Sequence, residues 1–270
     1  MIQGLVSVIM PTYNTGARLK DSIESVLNQT YQNIELVITD DNSDNKETLD
    51  ILRRYAIKDK RVKVFYHKQN DGAGAARNNS IYQACGQYIA FCDSDDRWAK
   101  DKIAKQVTFM QENGHCLVFS SYFKCGKQGN VTGIVKAPAK ISFGMLKRDN
   151  KIGCLTAIYD ASKYGKFYLP TIRKRQDWGL FLDILSMCEY AYSLPEPLAY
   201  YNKSGASLSS NKFSLVKYNI NVYQTVLGYS LPKAVLYFLF LFVPSYCLKV
   251  AKVELDSFFF RRQYKLGVAQ

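Results

Sequence analysis

Four polar clusters in the first hundred residues carry chemistry: Thr12-Tyr13-Asn14, Asp40-Asp41, the stretch 70–77 ending in Arg77, and Asp93-Ser94-Asp95-Asp96. At an extended strand end, residues i and i+2 point the same way, roughly 7 Å apart, so Asp93 and Asp95 can share a ligand. Carboxylates without His or Cys select hard ions, Mg²⁺ or Mn²⁺, with phosphate oxygens completing the shell. Asp40 can accept from a ribose hydroxyl or a base N–H, or it can cap the turn at Asn42-Ser43-Asp44. Arg77 sits early in a helix, against the dipole, and a diphosphate nearby would account for it. Asp177 heads a later helix, where its ionised form is favoured.

The elements that position these groups alternate. Residues 5–10 form an apolar run stopped by Pro11, the mark of a buried strand. Leu19, Ile23, Val26 and Leu27 follow at helical spacing behind a cap at Asn14 or Thr15. The pattern predicts further strands over 34–39, 62–66 and 88–92, with helices over 46–57, 74–84 and 98–112. Such alternation predicts a parallel sheet with right-handed crossovers, whose ligands bind at the carboxyl ends of the strands. All four polar clusters fall there. Beyond residue 115 the alternation weakens. Strands are expected over 117–123 and 131–135, and a helix over 176–188 with Trp178, Phe181, Leu182 and Leu185 on one side.

Composition excludes several classes. The chain has 270 residues, 47% of them apolar and 22% charged, ordinary globular usage. Two histidines, His67 and His115, leave little room for His-ligated metals, and no GxSxG or GxxxxGK[ST] occurs. The seven cysteines form no CxxC and are odd in number, so no zinc ribbon or disulfide framework is expected, and a reducing cytosol fits. The opening MIQGLVSVIMPTYN is too short in apolar residues, and lacks the basic start, for a signal peptide.

The net charge of +13 asks for a polyanionic partner. Residues 212–270 hold eight basic against two acidic side chains, about half the excess in the last fifth of the chain. Within them, residues 234–248 run AVLYFLFLFVPSYCL without a charge. As a helix that is about 22 Å, short of the ~30 Å hydrocarbon core, and Pro244 is expected to interrupt it. Basic residues and Phe258-Phe259-Phe260-Arg261-Arg262 follow, so residues 234–262 read as an interfacial membrane segment. A core helix and a spanning helix remain the alternatives. No nucleic-acid module is present, so nucleic acid is not expected as partner.

The segments VSVIMPTYN, ELVITDDNSD, NDGAGAARNNSI and YIAFCDSDD, in that order, resemble glycosyltransferase family 2. The likeness is strongest over residues 5–112. It continues loosely through Arg175-Gln176-Asp177-Trp178, similar to the acidic-aromatic motif that carries the family's catalytic base. The resemblance implies a glycosyltransferase A fold, a Rossmann-like, mostly parallel α/β sheet flanked by helices. It implies an inverting, metal-dependent enzyme with a nucleotide-sugar donor, a UDP-sugar favoured. Thr12 and Tyr13 would line the nucleoside pocket and Asp40 would read the base. Arg77 would approach the nucleotide. Asp93 and Asp95 would hold ribose, diphosphate and Mn²⁺ or Mg²⁺, and Asp177 would deprotonate the acceptor. Two departures bear on this. Gln176 stands where many relatives have Glu, leaving the base to Asp177 alone. Asn202-Lys203 follows Tyr200-Tyr201 where relatives often carry Arg or His, so a leaving-group contact rests on Lys203. No QxxRW occurs, which argues for non-processive transfer.

The expected organisation is a catalytic domain over 1–211, with a nucleotide-sugar half (1–112) and an acceptor half (113–211), then a basic, apolar helical extension over 212–270. The expected acceptor is a saccharide or lipid-linked saccharide at the cytoplasmic face of a bacterial inner membrane. Two rivals are a nucleotidyltransferase and an inactive nucleotide-sugar-binding protein of the same fold. The first should carry a Gly-rich basic loop after strand one, where this chain reads PTYNTG. Intact Asp93, Asp95 and Asp177 count against the second.

Overall fold

The computed structural model describes residues 1–126, 128–202 and 212–267. Runs of β-branched and aliphatic residues make β1 (Ile2–Thr12), β2 (Ile34–Asp40), β3 (Val62–Tyr66) and β4 (Gly86–Phe91). Every residue of β2 is buried, as a strand covered on both faces requires. Between them lie α1 (Arg18–Leu27), α2 (Lys46–Lys58) and α3 (Ala73–Gln83). Asn45 caps α2 through its side chain on the Thr48 N–H. The strands are parallel in the order β3-β2-β1-β4. The chain therefore moves outward from β1 to β3 and then crosses back to β4. In open α/β sheets ligands bind outside the carboxyl ends of the strands at such a reversal, here β1 and β4.

The second half extends the same sheet through β5 (Arg97–Trp98), α4 (Lys102–Asn113), β6 (Leu117–Cys125), β7 (Val131–Val135), β8 (Lys140–Ser142), α5 (Phe143–Leu146), β9 (Ile158–Asp160), α6 (Ala161–Tyr164), α7 (Gln176–Met187) and β10 (Tyr190–Asn202). The order continues β4-β9-β6-β10-β5, with β9 antiparallel to both neighbours and β10 parallel to β6. The helix expected from residue 98 starts at Lys102, because Arg97 and Trp98 pair with Tyr200 and Ala199. Pro195 and Pro197 sit where β10 shifts register against β6, which hides its strand pattern.

The C-terminal region forms α8 (Lys212–Thr225), α9 (Leu231–Tyr237), a π turn over Phe238–Phe242 and α10 (Val243–Gly267). Pro244 does not break the rod; the wider π turn just before it absorbs the missing N–H. The composition shift at 212 is no boundary in the packing. Val222, Tyr223, Ala234, Phe238 and Phe242 share one buried cluster with Phe91, Trp178 and Phe181. Trp178 meets Tyr223 and Phe242 at ring separations of 5.6 and 5.5 Å. Further along, Ser257 Oγ bonds both the N–H and the carbonyl of Ile134, so α10 lies along β7 and shields that sheet edge. A Cβ on Gly133 would come 2.5 Å from Ser257 Oγ, so only glycine admits this approach. The cysteine expectation also needs correction. Cys116 and Cys188 are joined as a disulfide, tying the start of β6 to the end of α7; parity of the count carries no information about a single pair.

Candidate active site

The acidic turn after β4 is held from three sides. Ser94 Oγ meets Thr15 Oγ1 at 2.7 Å, and Thr15 in turn meets Thr12 Oγ1 at 3.0 Å. Ser22 Oγ donates to the Ser94 carbonyl at 2.8 Å. From the end of β10, Asn202 donates its backbone N–H to Asp96 Oδ1 (2.9 Å) and its side-chain amide to the Asp95 carbonyl (2.6 Å). Thus Thr12 is buried and fixes the turn, while Tyr13 stands half exposed at its mouth.

Arg77, on the first turns of α3, donates Nη2 to Asp93 Oδ1 at 2.5 Å. Burial alone would lower its pKa; the carboxylates of Asp93 and Asp177 outweigh burial, so the guanidinium stays charged. Its Nε is buried without a hydrogen-bond partner among the described residues. Asp96 is almost fully buried, and burial together with Asp93 and Asp95 pushes it well above the usual carboxylate range. Three carboxylates in one turn form an all-oxygen set whose mutual repulsion a divalent cation would relieve. The turn, closed by the Asp96 N–H on the Asp93 carbonyl at 3.0 Å, replaces the extended strand end expected at Asp93 and Asp95, and oxygen donors of this kind suit hard ions such as Mg²⁺ or Mn²⁺.

Asp177 reaches the same locality from the head of α7. The N-termini of α3 and α7 touch, since a Cβ on Gly74 would collide with the Gln176 side chain. Asn150 Nδ2 donates to Asp177 Oδ2 at 2.9 Å. Arg175, just before α7, is held at φ 66°, a left-handed conformation costly for a long side chain. Its Nε bonds Asn219 Oδ1 on α8 at 2.9 Å. The Cys154 thiol lies among these groups; burial raises its pKa first, with Asp93, Asp177 and Asp96 adding to it and Arg77 opposing.

Asp40 is buried, and its carboxylate accepts from Ser43 N (2.9 Å) and Ser43 Oγ (2.6 Å), the turn-capping geometry. Its neighbour Asp41 accepts from His67 Nδ1 and from the N–H groups of Asp71 and Gly72 at 2.9, 2.9 and 2.7 Å. Ligand atoms of Asp41, His67 and Asp71 lie within 4.8 Å of one another. The Asp41 oxygens are engaged in fastening the loop that leads into α3. Lys203 lies outside the described residues. Sequence reasoning did not single out Asn150 or Cys154 for this site, because neither sits in a recognisable motif and both lie in the stretch between α5 and β9.

A parallel α/β half with a reversed strand order, an acidic turn at that reversal and a carboxylate heading a helix opposite it define a glycosyltransferase A fold. The profile of the glycosyl transferase family 2 matches residues 7–168, and the chain belongs to that family. It is 38% identical to a Bacillus subtilis (strain 168) glycosyltransferase named for teichuronic acid biosynthesis, TuaG, over 82% of this chain and 88% of that one. It is 36% identical to an Escherichia coli protein named UDP-Glc:alpha-D-GlcNAc-diphosphoundecaprenol beta-1,3-glucosyltransferase WfgD, over 79% and 83%. Among solved structures, S. aureus TarS 1-349, crystallised with UDP-GlcNAc, superposes with TM-score 0.66 at 20% identity, covering 85% of this chain and 69% of that one. The mannosyltransferase PcManGT from Pyrobaculum calidifontis, in complex with GDP-Man and Mn²⁺, superposes with TM-score 0.63 at 16% identity, covering 98% and 79%.

Proposed function

We propose that the chain transfers a sugar, with inversion, from a nucleotide-diphosphate donor, a UDP-sugar favoured, to a saccharide or lipid-linked saccharide during surface polysaccharide assembly. The observation that carries this reading is the approach of Arg77, the Asp93–Asp96 turn and Asp177 to one another at the switch point of the sheet. The names of the B. subtilis and E. coli relatives support a surface-polymer setting and a lipid-linked acceptor.

The site's residues divide the work. Thr12 and Tyr13 border the nucleoside, and Asp40 contacts it from the end of β2. Arg77 supports the diphosphate side of the cleft while holding Asp93 in place. A divalent ion at Asp93 and Asp95 would supply charge stabilisation for the departing diphosphate. Asp177 accepts the proton of the acceptor hydroxyl as it attacks the anomeric carbon from the face opposite the leaving group, a contribution of about 10²–10⁴-fold. Lys203 is proposed as a leaving-group contact from the loop after β10.

The C-terminal rod over Leu231–Gln263 has the length and apolarity of a membrane span, and only 17% of its most apolar window is buried. Its inner seam is bonded along the domain, which suits a helix lying in the interface rather than one wrapped by lipid. We place the enzyme at the cytoplasmic face of the inner membrane. Thermal melting with UDP-, GDP- and dTDP-sugars plus Mn²⁺ tests the donor: a UDP-sugar should raise the melting temperature most. A rise with GDP- or dTDP-sugars alone would replace the uridine reading, and no rise with any of them would remove the donor reading altogether.

A further inference from the structure

The C-terminal helices converge on one short segment, residues 146–150, and that segment holds the proposed base. Trp178 Nε1 donates to the Leu146 carbonyl at 2.8 Å. Tyr223 Oη, from α8, donates to the Lys147 carbonyl at 2.8 Å. Lys249, from α10, donates Nζ to Asp149 Oδ1 at 2.7 Å and to the Asn150 carbonyl at 2.8 Å. Asn150 is then fixed at both ends of its side chain. Its Oδ1 accepts from the Ile152 N–H at 3.1 Å, and its Nδ2 donates to Asp177 Oδ2 at 2.9 Å.

The Lys249–Asp149 pair is poorly explained by stability alone. Asp149 is only 2% exposed, and its second carboxylate oxygen has no hydrogen-bond partner among the described residues. A buried ion pair rarely outperforms an apolar pair of the same shape, because desolvation offsets the attraction. What this pair supplies is a directed anchor. It fixes the backbone of 149–150 against α10, and the Asn150 amide inherits that position.

We infer that Asn150 and Lys249 are positioning residues for the transfer step, Asn150 by orienting the Asp177 carboxylate directly and Lys249 by holding Asn150 in place from the C-terminal helix. The inference rests on the reading of Asp177 as the base. It makes the C-terminal helix part of the active-site machinery: the inner seam of α10 sets the base, while its outer face is apolar and exposed at Leu248, Leu255, Phe258 and Phe259. Misplacing a reacting group by about 1 Å can cost ~10²-fold, so a small movement of this segment is enough to matter.

The test uses the full chain with UDP-glucose and GlcNAc-diphosphoundecaprenol, the substrates in the name of the E. coli relative. Lys249→Met and Asn150→Ala should each lower kcat by roughly 10- to 100-fold, with the KM for UDP-glucose and calorimetric UDP affinity unchanged. Lys249→Arg should recover part of the loss. The double variant should be no slower than the slower single, since both act on one path. Unchanged kcat in Lys249→Met overturns the inference, as does a parallel loss of kcat, UDP affinity and melting temperature. If Lys249→Met does not fold, Asn150→Ala decides alone, and a wild-type kcat there is equally fatal. Asp177→Asn separates the two levels. An active Asp177→Asn enzyme removes the base reading and this inference with it. An inactive one beside a fully active Lys249→Met removes this inference only.

Discussion

At the scale of single residues, charge and proton-accepting capacity decide the outcomes. Asp95→Ala removes a carboxylate from the turn after β4 without opening a core cavity, because Asp95 is not fully buried. Mn²⁺ affinity by calorimetry and transfer rate should fall together while the melting temperature stays close to wild type. Near-normal turnover of this variant in EDTA would end the metal assignment. Asp177→Asn keeps the shape and the contact with Asn150 but cannot accept a proton. Its kcat should drop by roughly 10²–10⁴-fold, with donor affinity retained, because the proposed donor contacts lie on the earlier strand ends. Transfer within a few-fold of wild type would return Asp177 to the role of a helix-start acid. Asp40 shows how far a motif reaches. Its type and position at the end of β2 were legible, yet its carboxylate also fastens Ser43, a bond that residue spacing alone leaves open.

At the scale of elements, the first half could be read because each strand is a nearly unbroken apolar run and each helix shows its period. The strand over 62–66 falls where the pattern put it, and the helix over 46–57 is one residue longer. The second half resisted for physical reasons. β9 has three residues, β5 has two, and β10 is broken by prolines; each exists only because a neighbour supplies its pairing. The site inherits that division, since the strand-end carboxylates were visible and Asn150 was not. Below the acidic turn, Lys102 of α4 is fully buried, bonded to Gln106 Oε1 at 2.7 Å and set 4.0 Å from the Trp98 ring. Burial lowers its pKa to about 7. Unfolded, the amine keeps its ordinary value of 10.5. Between these values the unfolded chain binds the extra proton, so this residue makes stability rise with pH. Below about 7 both states are charged and the burial penalty is complete. Lys102→Met should therefore gain more stability, relative to wild type, at pH 6 than at pH 9, read by denaturant unfolding at both. An equal difference at the two values would show that Lys102 stays charged in the fold.

At the scale of the whole molecule, the C-terminal region is read differently once its two faces are separated. Composition and charge mark residues 212–270 as distinct, but Phe238 and Phe242 complete the core around Trp178, and Ser257 clasps β7. A chain ending near residue 211 would uncover Trp178 and lose the grip on 146–150, so removal of the region is a poor probe of membrane binding. The outer face is the better probe. Leu236, Leu239, Phe240, Leu248, Leu255, Phe258 and Phe259 are each about half or more exposed on one rod. Basic residues stand among them, and each near an anionic surface contributes about 1 kcal/mol within a Debye length. The full chain should co-sediment with phosphatidylglycerol vesicles and less so with neutral ones, and raised salt should weaken the binding. Phe240→Ser combined with Leu248→Ser and Phe259→Ser should abolish sedimentation while leaving UDP affinity intact, because all three side chains point away from the core. Wild-type sedimentation of the triple variant would mean that lipid meets another surface. Binding that resists salt and yields only to detergent would mean instead that the rod inserts deeply, at the expense of the Lys249 and Ser257 anchors.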